Sequence, residues 1–303
     1  MLINTLFFQT TYSEQKYKIF LMLSQKWWFI LFFFIFAPLL LVKIILMKRN
    51  VTFLRALITS SLIFISFLSF SQSVDNEVIM NLGFERWVSD GPFKGEPEHW
   101  HGISSASGTY KGLLTKPQME MSRITRPGSE GNYSVRLFPR SIFGVVVNGT
   151  FTNGRVNAGS MIPDNKEDNY AYTCRVSPDF STPINIVPDS VALWVCFRAK
   201  EQSSEANFVA VVHGDADFRY SGPGYSSPED SVCAVAGPCH FTRSSPANSN
   251  EFKWKRISIP FVKNYDVEPR YILFLFSTNK IAGGGSSKDE LFIDDIELIY
   301  NKK

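Results

Sequence analysis

An antiparallel β-sandwich of the jelly-roll kind, preceded by an N-terminal hydrophobic targeting region, is the fold the sequence predicts. Three observations predict it. After residue 72, apolar residues do not recur with the 3.6-residue spacing of a helix. Short runs rich in β-branched and aromatic residues stand in their place: SVRLFPR, GVVVNGTF, VALWVCFRA, NFVAVVHG, WKRISIPFV, YILFLFSTN and LFIDDIELIY. Clusters of Gly, Pro, Ser and Asn separate these runs, as turns separate strands.

The N-terminal region comes first in the chain and has a different chemistry. Residues 27–47, WWFILFFFIFAPLLLVKIILM, are nearly all apolar and match the ~20 residues of a membrane-spanning helix. A second export signal follows directly. Met47-Lys48-Arg49-Asn50 is a basic start, Ala56 to Phe70 an apolar core, and Ser69-Phe70-Ser71 a small-x-small cleavage site. Cleavage after Ser71 would discard the upstream helix, so the two signals do not work in series. We expect translation to begin at Met47, residues 1–46 to be an over-extended gene start, 47–71 to be a signal peptide, and 72–303 to be the mature domain. The other arrangement is a helical hairpin that stays in the membrane, which would then be the chain's one membrane contact. No Cys stands near the cleavage site, so the residue that a lipoprotein acylates is missing. The expected product is exported, to the periplasm, the cell surface or the medium.

Setting that region aside changes the charge. The whole chain carries 31 Lys and Arg against 28 Asp and Glu. Residues 1–71 hold seven of the bases and one of the acids, which leaves 24 bases and 27 acids in residues 72–303, a net charge of −3. Binding a polyanion by counterion release needs a basic surface. Nucleic acid is therefore not an expected partner.

The four cysteines, Cys174, Cys196, Cys233 and Cys239, all lie in the mature part, and an even count suits an oxidising compartment. Cys233 and Cys239 enclose VCAVAGPC, a short Gly-Pro loop, and are the first pair expected to form a disulfide. Cys174 and Cys196 sit in strand-like runs and are either a bridge or two buried thiols. There is no CxxC pair, so no zinc template applies.

The 232 residues from Gln72 suffice for one large sandwich. In WKRISIPFV, Trp254, Arg256 and Ser258 alternate with Lys255, Ile257 and Ile259, the period of a half-buried strand. YILFLF is apolar on both faces, as in a strand packed from two sides. Residues 214–228, GDADFRYSGPGYSSP, read as a long loop carrying Phe218, Tyr220 and Tyr225, and loops of that length in compact domains tend to be functional. Residues 280–289, KIAGGGSSKD, read as a flexible connection into the last strand.

Four blocks carry a family resemblance. Asn81-Leu82-Gly83-Phe84-Glu85-Arg86-Trp87 with Pro97-Glu98-His99-Trp100 resembles the opening of carbohydrate-binding-module-like jelly rolls, and LFIDDIELIY resembles their last strand. Between them, Gly149 to Gly159 (GTFTNGRVNAG) and Pro188 to Trp194 (PDSVALW) resemble internal signatures of the Bacteroidetes carbohydrate-metabolism domain family, PCMD. The order of the blocks is that family's, and the resemblance covers about Asn76 to Tyr300. It implies a jelly roll that handles carbohydrate. It also implies that the first and last strands meet, where Glu85 and Asp294, with Asp295 as a third group, would hold a structural calcium ion. Such an ion takes six to eight oxygen ligands. The plainer account is that the two aspartates charge an edge strand against pairing.

A sugar-binding surface would stack pyranose C–H faces on aromatic rings. Trp100, Tyr110, Phe218, Tyr220 and Tyr225 lie in loop-like contexts and are the candidates, with Asp217 and Arg219 to bond hydroxyl groups. Trp87, Trp194 and Trp254 lie in strand patterns and are assigned to packing. A glycoside hydrolase would need two carboxylates facing each other across a cleft. Asp164, Glu167, Asp168, Asp215 and Asp217 are available but stand in no pattern that separates them from solvated loops. His99, His101, His213 and His240 form no metal or triad signature. The expected function is non-catalytic carbohydrate binding or glycan handling. The alternatives are a carbohydrate-active enzyme using two loop carboxylates, and a surface structural or adhesion protein.

Overall fold

The computed structural model describes residues 80–301 apart from 115, 223 and 265. These belong to the second of the two units into which the chain divides, Gln72–Lys303. The hydrophobic segment 1–46, the Met47 start and the signal peptide 47–71 lie outside the described residues.

The described strands run in order β1 (Met119–Ser122), β2 (Ser134–Leu137), β3 (Arg140–Ile142), β4 (Val145–Val147), β5 (Thr150–Thr152), β6 (Arg155–Ala158), β7 (Asn169–Tyr172), β8 (Ser190–Ala199) and β9 (Glu205–His213). They continue with β10 (Arg219–Tyr220), β11 (Ser226–Ser227), β12 (Val232–Thr242), β13 (Ser245–Pro246), β14 (Lys255–Pro260), β15 (Val262–Lys263), β16 (Tyr271–Ser277) and β17 (Glu290–Ile299). One sheet has the order β1-β2-β17-β8-β13, with β14 also pairing β8, and a second has the order β15-β12-β9-β16-β5. Their pairings are antiparallel except where β13 runs parallel to β8. A small sheet, β11-β10-β7-β6, and the hairpin β3-β4 complete the strands. The fold is the predicted all-β antiparallel sandwich.

Period-two alternation builds the core. From the first sheet, Val191, Leu193, Val195 and Phe197 of β8 and Leu291 and Ile293 of β17 enter one buried cluster. From the second sheet they meet Phe208, Ala210 and Val212 of β9 and Phe274 and Phe276 of β16. The residues between them face the other way: Val209, Val211 and Leu273 form a separate buried cluster with Phe218 and Tyr220. β16 is apolar on both faces because the small sheet covers part of its outer side.

The IDDI segment of β17 shows how a strand keeps its alternation through an irregularity. The register against β8 shifts between Asp294 and Glu297, and Asp295 has φ 40°. This β-bulge inserts one residue, so Ile293, Ile296 and Leu298 all reach the core. The Ile296 N–H donates to the Leu82 carbonyl at 3.0 Å, which places the opening segment against the closing strand, as the resemblance implies.

Three expectations are corrected here. Trp100 is fully buried: it stacks on Phe151 at 4.7 Å, meets Phe84 edge-on at 5.3 Å and donates its indole N–H to the Met80 carbonyl at 2.7 Å. A ring enclosed on all sides packs the core and offers no face to a sugar. Residues 214–228 are not an open loop, since β10 and β11 tie them into the small sheet. Cys233 and Cys239 are free thiols, as are Cys174 and Cys196. The first two lie on a single strand, with Ala234 opposite Val212 and Cys239 opposite Phe208. At about 3.3 Å per strand residue they stand well beyond the reach of a disulfide.

Candidate functional site

A cleft of about 540 Å³ opens on the outer face of the second sheet. Its floor is the part of that face that the small sheet leaves uncovered. Along β9 the outward residues Val211 and Val209 lie under Phe218 and Tyr220, whereas Asn207 borders the cleft. Along β16, Leu273 is covered, while Leu275 and Ser277 line the cleft. Val156 and Tyr170 of the small sheet form one wall, and Ile142 and Val147 of the β3-β4 hairpin form another.

The hairpin is built for a tight reversal. Ile142 pairs with Val145, which leaves Phe143 and Gly144 as a two-residue turn at φ 51° and 84°. Two-residue turns whose central residues both have positive φ match the twist of the strands they join. Phe143 is 82% exposed and lies at the cleft.

The polar groups of the floor are mainly amides. The Asn148 Nδ2 donates to Ser277 Oγ at 3.0 Å and to the Asn279 carbonyl at 3.3 Å. The Asn279 Nδ2 donates to the Gly284 carbonyl. In Asn148, Asn207 and Asn279 the side-chain oxygen has no partner. The two lysines of the lining each have a near neighbour. The Lys280 ammonium pairs with Glu205 at 2.9 Å, and that of Lys166 sits 4.8 Å over the Tyr225 ring. Asp164 is the one carboxylate among the described residues that line the cleft.

Of the predicted sugar contacts, Tyr110 and Tyr220 border this cleft. Tyr220 is otherwise buried, and burial pushes its hydroxyl up to about 12. Phe218 is removed from the candidate surface: it is fully buried and stacks on the His213 ring at 4.8 Å. Arg219 lies over the Tyr170 ring at 5.5 Å and so backs the cleft wall rather than lining it. Asp217 is spent on Arg175, accepting from its backbone N–H at 2.9 Å and its Nε at 3.2 Å. Tyr225 is half exposed and meets Lys166 outside the lining.

Sequence reasoning missed Phe143, Tyr170 and the three asparagines. A signal existed for Phe143, since a Gly flanked by Ile142 and Val145–Val147 fits a two-residue hairpin. Tyr170 was hidden in a run that reads as an ordinary strand. The asparagines become related only through the fold.

The carboxylates expected to hold calcium, Glu85, Asp294 and Asp295, accept hydrogen bonds from the segment 126–133. Glu85 accepts the backbone N–H groups of Asn132 and Tyr133 at 2.9–3.0 Å, and a side chain at Gly131 would collide with it. Asp294 is fully buried and accepts from the N–H groups of Arg126 at 3.0 Å and Asp295 at 2.9 Å. Burial pushes its carboxyl up to about 7. Arg126 Nε donates to Asp295 Oδ2 at 2.5 Å, which already brings a positive charge to that carboxylate. Among the described residues no three His, Cys, Asp or Glu side chains group as metal ligands. In this structure the partners of these carboxylates are backbone amides, one guanidinium and the Ser129 hydroxyl.

No family model and no curated protein matches the chain. Solved structures similar to it include a provisionally assigned glycoside hydrolase of Bacteroides thetaiotaomicron, at 14% identity and TM-score 0.49 over 73% of this chain and 71% of that one. TmCBM61, solved with β-1,4-galactotriose, is similar at 15% identity and TM-score 0.32 over 73% of this chain and 96% of that one. CBM27-1 of Caldicellulosiruptor saccharolyticus, solved with mannohexaose, is similar at 8% identity and TM-score 0.32 over 69% of this chain and 93% of that one.

Proposed function

We propose that the chain is an exported, non-catalytic carbohydrate-binding protein of the PCMD type, and that the cleft on the outer face of the second sheet is its binding site. The cleft itself carries this reading: Tyr110 and Tyr170 line it together with apolar side chains above an amide-bearing floor. That mixture of flat apolar surface and a few polar groups suits a ring with C–H faces and hydroxyl edges. Asp164, the single carboxylate among the described lining residues, does not by itself supply the pair that glycoside hydrolysis takes. The order of the four motif blocks supports the family, and the second hydrophobic signal supports export.

Affinity gel electrophoresis of the purified protein against a polysaccharide panel tests the reading. We expect retardation by at least one polymer, weakened in Tyr170→Ala and Tyr110→Ala, with no reducing sugar released. Sugar release that disappears in Asp164→Asn would establish an enzyme instead. Migration unaffected by every polymer would remove the glycan reading.

A further inference from the structure

We propose that the cleft takes uncharged saccharides and that Phe143, at the tip of the β3-β4 hairpin, is the side chain that anchors them. This rests on the glycan reading and adds to it the charge class of the ligand and the residue that decides affinity.

Phe143 is placed at a cost. Its φ of 51° lies in the left-handed region, where a bulky side chain without Gly's freedom or Asn's local hydrogen bonding is strained. At 82% exposure it recovers little by packing. Gly or Asn would make the same turn without the strain, so folding alone does not account for an aromatic residue there. Strain of this kind gathers at ligand clamps. Phe143 also has company: Met161, 54% exposed, and Ile281, 70% exposed, come from two other segments and line the same cleft. Apolar side chains left in water around one opening mark a surface that an apolar face covers.

The charge class follows from what the cleft lacks and what it holds in excess. Carboxylate and sulfate groups are recognised by free Arg and Lys donors. Among the described lining residues there is no Arg, Lys280 is neutralised by Glu205, Lys166 is drawn onto Tyr225, and Asp164 adds a negative charge. His240 is the remaining basic group in the lining. Acceptors, by contrast, are in surplus. In Asn148 and Asn279 the amide nitrogen bonds a carbonyl, which fixes the oxygen as the unmet end, and Asn207 has an unmet oxygen as well. An acceptor closed off without a partner costs about 1–3 kcal/mol. Hydroxyl donors satisfy such oxygens once the half-buried Asn148 and Asn207 turn toward them, whereas a carboxylate or sulfate group brings no hydrogen to donate to them.

The test uses the full-length chain, purified in mild detergent, and neutral polysaccharides each paired with its carboxymethylated derivative. We expect retention by a neutral polymer, at least about tenfold weaker on its acidic partner. Phe143→Gly should bind the neutral polymer about tenfold more weakly while melting at the same or a higher temperature, and Phe143→Trp should keep its affinity. Equal or tighter binding to the acidic polymers would overturn the charge class. Full affinity in Phe143→Gly would overturn the anchor. Either result leaves the glycan reading in place, whereas silence on every neutral and acidic polymer removes that reading and this one together.

Discussion

The two faces of the β9-β16 sheet are made by alternate residues of the same strands, yet they end in opposite states. The inner face carries Phe208, Phe274 and Phe276, enclosed with Trp100 and Phe151 in the main core. The outer face begins the same way, with Val209, Val211 and Leu273 buried under Phe218 and Tyr220, and then opens onto the cleft at Asn207, Leu275 and Ser277. Chain composition does not separate the two. What separates them is how far a third layer extends: the small sheet covers one part of the sheet and leaves the rest as the floor of the cleft. The cleft is thus a core face left unfinished.

Truncating the inner face should cost most. Trp100→Ala loses a stacked aromatic and its bond to Met80, about 3–5 kcal/mol, whereas Leu275→Ala on the half-buried outer face should cost about 1–2 kcal/mol. Urea denaturation of both variants measures this, and equal costs would mean that the cleft is as tightly packed as the core.

The next effect is on pH dependence, and it sets the first sheet against the second. Asp294 titrates at about 7 in the folded chain and near 3.9 unfolded. The folded state therefore holds more protons between those values, and this group lowers stability as pH rises from about 4 to 7. His213 behaves in the opposite sense. Burial lowers it to about 4 from about 6.5, with Gly214 and Thr173 bonded to its two nitrogens. It lowers stability as pH falls from about 6.5 to 4. The two slopes, each at most about 1.4 kcal/mol per pH unit, oppose each other, so the native protein should show a shallow profile across this range. In Asp294→Asn the His213 slope should emerge, with stability falling on acidification, and in His213→Gln the Asp294 slope should emerge with the opposite sign. Melting curves at pH 5 and pH 7 compare the three proteins, and parallel behaviour in all of them would refute the assignment.

Asn207→Ala should leave stability unchanged or raise it by up to about 1 kcal/mol, because it deletes an acceptor that has no partner at the cost of some packing, while glycan retention should weaken. The smallest expected effect is that of calcium. With Arg126 against Asp295, adding calcium or a chelator should leave the melting temperature within about 1 °C, and a rise of several degrees with calcium would show that Arg126 yields its place.

Much of the fold was legible in the chain. The run at 254–262 reads with Ile257 and Ile259 on one face, and both pack on the core, while YILFLF, which reads as apolar on both faces, is covered on both, because side-chain direction in a strand follows from the backbone alone. The binding candidates fared worse. Trp100 and Phe218 read as loop aromatics and are core, since a Gly-rich context describes the backbone and does not reveal what packs over a side chain. Cys233 and Cys239 read as a loop pair and lie along one strand, because a Gly-Pro step need not reverse the chain.

By itself the sequence determined the strand-forming runs and the mild negative charge after residue 71, which depend on local pattern and composition alone, whereas the meeting of the opening and closing segments was implied only by the family resemblance. Only the tertiary structure decided where the small sheet ends, and with it which residues of β9 and β16 are sealed and which line a cleft beside Phe143. Covering a face depends on contacts between strands far apart in the chain, so no local window of residues records it.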